Sequence, residues 1–203
     1  MAIQALAVDL GGVMFLPDPS LDQAWVAKQL QLPTEVVQRD LWYSTDVEAA
    51  NRGQITAEEY ASRAAYRLGI PANRVLAVVE KLFAGLLNRP LASWLAGLPP
   101  QLRIVAFTNN WSFAERILNS HRIHGLFEQV VNSAETGCCK PEPCMYIALL
   151  ERLGLQAGEV VVLDDQRANI GAAEALGFLA VEYTTLEACV LAIETVVERG
   201  QSE

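Results

Sequence analysis

Four polar groups stand where short apolar runs end. Asp9 closes the run Ile3–Val8 and is followed by Gly11–Gly12. Thr108, Asn109 and Asn110 follow Ile104–Phe107, Lys140 lies beyond the weaker run Val130–Val131, and Asp164 and Asp165 close Val160–Leu163. Carboxylates brought together repel one another. They persist together when a hard divalent cation lies among them, and Mg²⁺ takes one or two carboxylates plus phosphate oxygens. A lysine adds fixed positive charge for an anion, and a threonine hydroxyl with nearby backbone N–H groups adds donors. Such a set suits a phosphoryl group, with a carboxylate available as nucleophile. Taken singly, each group has a plainer reading. An Asp after a strand is often a turn or helix cap, a lone Lys a solvated charge, and an Asp–Asp pair a cap with an exposed neighbour. Their order, each beyond a strand's carboxyl end, argues for one shared site.

The elements that must position them follow from periodicity. The apolar runs named above, with Leu179–Val181, read as five short strands separated by helical stretches. Ser112 is a candidate cap for a helix through Ser120, Pro141 a start for Glu142–Leu153, and Thr184 with Glu187 a capping box for the last helix. Ala168–Leu176 is stopped by Gly177. Strands alternating with helices predict an α/β protein with a parallel, doubly wound sheet, whose ligands bind beyond the carboxyl ends of the strands. Residues 16–88 carry no strand signal. Four helices and a short piece near Asp46–Asn51 are expected there: Leu21–Gln31 capped by Ser20, Glu35–Tyr43 capped by Thr34, one opened by the Thr56–Glu59 capping box and ended by Gly69, and one capped by Asn73 that runs to Leu87. This divides the chain into a core, residues 1–15 and 89–203, and a small all-helical cap inserted after the first strand, residues 16–88.

Composition excludes several classes. With 203 residues, 52% of them apolar and 19% charged, the chain can bury a core without staples. Lys and Arg number 15 against 24 Asp and Glu, for a net charge of −9. That balance argues against a nucleic-acid or anionic-membrane binder, and a small phosphorylated ligand remains open. No apolar run reaches the length of a membrane span, and the N-terminus reads as a strand, so a cytoplasmic protein is expected. Cys138, Cys139, Cys144 and Cys189 lack tetrahedral metal spacing and read as small residues packed in a reducing compartment.

The four motifs AVDLGGVMF, IVAFTNNW, GCCKPEPCMY and VVLDDQRAN resemble those of the haloacid dehalogenase superfamily. TNNW, KPEP and LDDQRAN are most similar to the phosphatase half of soluble epoxide hydrolases and to small bacterial sugar-phosphate phosphatases. The resemblance implies a Rossmann-like core and a Mg²⁺-dependent phosphatase acting on a small phosphorylated metabolite, with a sugar phosphate among the candidates. It implies that Asp9 is the nucleophile and forms an aspartyl-phosphate, and that Asp9, the Gly11 carbonyl and Asp165 hold Mg²⁺, with Asp164 acting through bound water. By the same resemblance Thr108, Asn109 and Lys140 bind phosphate, and Lys140 also offsets charge on the nucleophile. One departure stands out. Most such phosphatases carry a second Asp two residues after the nucleophile, which protonates the leaving oxygen; here that position is Gly11. Two other readings follow: a dehalogenase, which needs no metal and usually lacks the paired acids, and a catalytically weak binding member. Asp18, Asp46, Glu48, Arg52, Trp42, Tyr43 and Trp111 are candidate substrate contacts, each with a structural role as its alternative.

Overall fold

The computed structural model describes residues 2–42 and 45–200, without the side chains of residue 42 and of residues 196–200. Its strands are β1 (Ala5–Val8), β2 (Phe15–Leu16), β3 (Leu86–Leu87), β4 (Arg103–Thr108), β5 (Gln129–Asn132), β6 (Val160–Asp164) and β7 (Leu179–Glu182). Five of them form one sheet in the order β5-β4-β1-β6-β7, parallel throughout. Successive residues alternate between its two faces. Leu6, Val8, Ala106, Val161 and Leu163 belong to one apolar cluster; Ala5, Ala7, Val105, Phe107, Val160 and Val162 belong to the other. Burial on both faces is why these strands read as continuous apolar runs.

Helices cover both faces, so the sheet is doubly wound. After β3 come α6 (Arg89–Ala96), α7 (Ala114–Ser120), α8 (Ser133–Thr136), α9 (Pro143–Leu153), α10 (Arg167–Ala175) and α11 (Leu186–Gly200). Met145, Tyr146 and Leu149 of α9 pack on one face; Leu91 and Leu95 of α6, Leu118 of α7 and Ile193 of α11 join the cluster on the other. Val8 lies opposite both Ala106 of β4 and Leu163 of β6. The chain builds β4 and β5 on one side of β1, then β6 and β7 on the other. The carboxyl end of β1 is therefore the switch point of the sheet, where ligands bind in folds of this kind.

Between β2 and β3 the chain forms α1 (Gln23–Leu30), α2 (Thr34–Val37), α3 (Thr45–Asn51), α4 (Ala57–Leu68) and α5 (Ala72–Ala84), with a π-helical turn over Gln38–Trp42. The paired β2 and β3, Phe15 opposite Leu87 and Leu16 opposite Leu86, make the stem through which this insert leaves and rejoins the sheet. Asn88 locks the stem: its N–H donates to Met14 O at 2.9 Å and its side-chain amide to Val13 O at 2.9 Å.

The best-defined insert helix is α4. Its capping box is present as expected, with Thr56 Oγ1 accepting from the Glu59 N–H and Glu59 accepting from the Thr56 N–H. Ala57, Tyr60, Ala61, Ala64 and Ala65 form its buried stripe at helical spacing, and Gly69 ends it in the left-handed conformation. Elsewhere the caps move by one or two residues. Asp22, not Ser20, caps α1 by accepting from the Trp25 N–H, while Ser20 closes a turn onto Asp18. Thr34 is inside α2, and the helix it was to cap gives way to the π turn after Val37. Pro71 precedes α5 in place of Asn73, and α5 stops at Ala84, because Leu86 and Leu87 pair as a strand. Phe113 precedes α7, and Ser112 instead accepts from the Ala57 N–H of the insert at 3.0 Å. Pro143, not Pro141, opens α9, and Thr185 rather than Thr184 accepts from the Ala188 N–H of α11.

Asp46 of α3 is buried against α4. Burial pushes its carboxyl up, but hydrogen bonds and charge from Arg67 and Arg63 outweigh this and hold it below the usual carboxylate range. A depressed pKa contributes stability that is present above the ordinary Asp value and lost as pH falls through the folded one. We expect Asp46→Ala to cost about 2 kcal/mol in urea unfolding at pH 7, as a hydrogen-bonded charge does, with the difference narrowing as pH falls below the ordinary Asp value. Equal stability of the two proteins at pH 7 would remove this ion pair from the list of what holds the insert together.

Among the described residues, no helix is long and apolar enough to cross a membrane.

Candidate active site

Asp9 follows β1 directly. Its N–H donates to Leu163 O at 2.9 Å, which seats it against β6, and its side chain is buried. The Leu10 N–H donates to Oδ1 at 2.7 Å, and Lys140 Nζ lies 3.0 Å from the same oxygen. Burial raises the Asp9 carboxyl to about 6. Asp164 adds to the rise, and Lys140, with its charge and hydrogen bond, opposes it together with the Leu10 N–H.

Lys140 arrives from the turn between α8 and α9. Asn109 grips its backbone from both sides: Asn109 Nδ2 donates to Lys140 O, and the Lys140 N–H donates to Asn109 Oδ1, each at 2.8 Å. The ammonium reaches three acceptors, Phe107 O at 2.8 Å, Asp164 Oδ2 at 2.6 Å and Asp9 Oδ1 at 3.0 Å. Burial alone would drive this lysine toward its neutral form. The two carboxylates more than offset that, so its pKa is raised and its charge kept.

Asp164 ends β6 and is fully buried. Its oxygens accept from Lys140 Nζ, from Asn169 Nδ2 at 2.9 and 3.0 Å, and from the Gln166 N–H at 2.9 Å. Asn169, five residues after Asp164 in the run LDDQRAN, is a buried amide in the first turn of α10 that sequence alone does not distinguish from a surface residue. Asp165 is exposed, and its carboxyl is pushed up by partial burial and by the Asp164 charge. Thr108 ends β4 opposite Asn132 and is buried. The Asn110 N–H donates to Asn132 Oδ1 and Ser133 Oγ, both at 3.1 Å, which fixes the turn after Thr108.

Asp9, Asp164 and Asp165 each place a carboxylate oxygen within 4.8 Å of the others. With Asp164 engaged by Lys140, Asn169 and Gln166, the oxygens of Asp9 and Asp165 are the ones positioned to hold a cation. All-oxygen donors at this separation fit Mg²⁺.

The two glycines after Asp9 differ. Gly12 has φ +77°, and a Cβ there would stand 2.2 Å from Asp165 Oδ2, so only glycine lets Asp165 approach. Gly11 has no such constraint: a Cβ would meet nothing within 4 Å, and its φ is outside the left-handed region.

The insert residues considered as substrate contacts have other partners. Asp18 bonds Ser20, Asp46 bonds Arg63 and Arg67, and Glu48 bonds Arg52. Arg52 also makes a two-pronged pair with Glu142, at 2.6 and 2.9 Å, beside the Lys140 turn. Trp111 is buried between core and insert, against Tyr60 and Phe83, and its Nε1 donates to Asn51 Oδ1 at 2.8 Å. Tyr43 and the Trp42 side chain lie outside the described residues. Cys138 and Cys144 form a disulfide around the Lys140 turn, where the sequence suggested packed thiols; Cys139 and Cys189 are free.

A family model described as haloacid dehalogenase-like hydrolase matches residues 3–177. The chain belongs to the haloacid dehalogenase-like hydrolases. It is 25% identical over 193 residues to a sesquiterpene phosphatase of Aspergillus oryzae, covering 92% of this chain and 93% of that protein. It is 26% identical over 208 residues to bifunctional epoxide hydrolase 2 of Mus musculus, where 89% of this chain spans 36% of the relative. Among solved structures, a family enzyme from Bacteroides thetaiotaomicron in complex with magnesium and inorganic phosphate shares the fold, with TM-score 0.75, 19% identity, and coverage of 90% of this chain and 94% of that one. The hydrolase is thus placed by family and by fold, and phosphatases are among its relatives.

Proposed function

We propose that this hydrolase is a Mg²⁺-dependent phosphatase that cleaves a small phosphorylated metabolite through a phosphorylated Asp9. Residues 1–15 and 89–203 form its catalytic core, and residues 16–88 the cap that covers the site. The observation that carries the reading is the buried Lys140 ammonium set between Asp9 and Asp164, with Asp165 beside them at the switch point.

Asp9 attacks phosphorus, and the bond from phosphorus to the leaving oxygen breaks. Water then attacks the aspartyl-phosphate, releasing inorganic phosphate and restoring the carboxylate. The Leu10 N–H and Lys140 hold one Asp9 oxygen and fix the carboxylate plane for that attack. Lys140 also opposes negative charge on nucleophile and phosphoryl group. Thr108 and the backbone through Asn109 supply donors to phosphate oxygens. Asp164 is a positioning residue, holding Lys140 and Asn169 in place. Bound Mg²⁺ supplies Lewis-acid stabilisation of phosphoryl charge, held by Asp9, the Gly11 carbonyl and Asp165. The acidic pair counts against the dehalogenase reading, which needs no metal.

Phosphate release from an aryl phosphate, followed with added Mg²⁺ and with excess chelator, tests this. Two carboxylates facing a phosphate dianion need a cation between them, so activity should fall at least about 100-fold in chelator. Full activity there overturns the metal role. Asp165→Asn should raise the Mg²⁺ concentration needed for half-maximal rate more than Asp164→Asn does, while Asp164→Asn acts mainly on kcat through Lys140. Equal metal constants for the two variants would refute that division.

A further inference from the structure

From the carboxyl ends of β1 and β4 a slot of about 320 Å³ runs outward to the stem and α5. Its side chains are mostly apolar, Phe15, Leu16, Pro17, Leu82 and Phe83, with the amides of Asn109 and Asn110 as the polar ones. At the end near Asp9 the wall is bare, because Gly11 lines the slot and a Cβ there would project into open space. The amide of Asn109, which lies at the same end, is engaged with the Lys140 backbone. No titratable side chain lines the slot among the described residues.

These surroundings discriminate between leaving groups. A sugar would carry several hydroxyls against walls whose side-chain partners are Asn110 and an Asn109 already engaged elsewhere, and each buried hydroxyl left unpaired is costly. A hydrocarbon gains from every methylene removed from water. In size the slot is about twice the roughly 150 Å³ apolar cavity that accommodates one benzene.

We propose that this slot receives the alcohol part of the substrate, and that the substrate is the phosphate monoester of a compact apolar alcohol or phenol, with the open Gly11 position forming part of the wall that selects it. This rests on the phosphatase reading above and adds the substrate class to it.

The test uses the whole protein with Mg²⁺ and a series of n-alkyl monophosphates from ethyl to octyl. Their leaving groups have nearly the same acidity, so chain length varies burial alone. kcat/KM should rise up to about fourfold per methylene until the slot is full, and hexyl phosphate should exceed a hexose 6-phosphate, whose leaving group is likewise a primary alcohol. A flat or falling series, or preference for the hexose phosphate, overturns the proposal. Binding of n-alkylphosphonates, which are not hydrolysed, gives a second reading by calorimetry: affinity should rise with chain length and the heat-capacity change grow more negative.

Gly11→Leu, which fills the near end, and Leu82→Asp, which makes a wall polar, should each reduce the dependence on chain length. Unchanged slopes in whichever variant is folded by circular dichroism overturn the assignment of the slot. Ester turnover with a flat phosphonate series refutes the apolar slot and leaves the phosphatase. Absence of ester turnover with length-dependent phosphonate binding refutes the phosphatase and leaves the slot.

Discussion

Asp9→Asn will lower phosphate release by at least about 1,000-fold and at the same time make the metal-free protein more stable. The first effect follows from chemistry. A carboxamide is a far poorer nucleophile than a carboxylate, and removing a nucleophile from a catalytic set costs several orders of magnitude. The second follows from burial. Asp9, Asp164 and Lys140 bury two negative charges and one positive charge together, leaving one carboxylate in excess. That is why Asp9 is raised to about 6 from 3.8. Between those values the folded protein keeps a proton that the unfolded chain has released, so folding stability falls as pH rises through this window and stays lower above it. Asparagine removes the excess charge and keeps the shape. The variant should gain up to about 3 kcal/mol at pH 7.5 in chelator, and the gain should vanish near pH 4. Urea unfolding at the two pH values measures it. A variant less stable than the parent at pH 7.5 would show that the pairing with Lys140 outweighs the burial of Asp9. Residual turnover of more than a few per cent would point to another nucleophile.

What was legible in the sequence, and what was not, divides along physical lines. The five strands of the sheet could be read because strands buried on both faces are uninterrupted apolar runs, and the groups after them share one edge by the geometry of a parallel sheet. The Thr56–Glu59 box was legible because both partners lie within one turn. Where neighbouring residues compete for one cap, as Ser20 with Asp22 or Thr184 with Thr185, composition cannot choose; the backbone path does. The two-residue strands of the stem were hidden, since a pair of leucines after a helix looks like more helix until Phe15 pairs with Leu87. Partners far apart in sequence were hidden too: Arg52 with Glu142, Trp111 with Asn51, Asn109 with the backbone of Lys140. The Gly11–Gly12 pair is instructive. From sequence either glycine could be the one that the turn requires. The structure assigns that need to Gly12 and leaves Gly11 free of it.

That freedom makes the consequence of Gly11 testable. With no acid two residues after Asp9, and with no titratable side chain along the slot among the described residues, water is the proton donor we expect for the leaving oxygen. Phosphoryl transfer should then depend steeply on how well the leaving group carries negative charge. Aryl phosphates should be cleaved about 10²–10⁴-fold faster than alkyl phosphates of equal size, the range that general acid catalysis ordinarily supplies. Gly11→Asp should narrow that gap from the slow side. A Cβ at this position meets nothing, and the backbone needs no left-handed φ, so the turn accepts a side chain. Rates on the shortest alkyl phosphates should rise, by about 100-fold where the new carboxyl reaches the leaving oxygen, while rates on acidic phenols change little. The same carboxyl introduces charge at the wall of an apolar slot, so the advantage of longer alkyl chains should shrink in the variant that gains most on the short ones. A native enzyme whose kcat/KM is flat across leaving groups of graded acidity, under conditions where association does not limit the rate, would mean that a proton donor reaches the leaving oxygen from elsewhere in the protein.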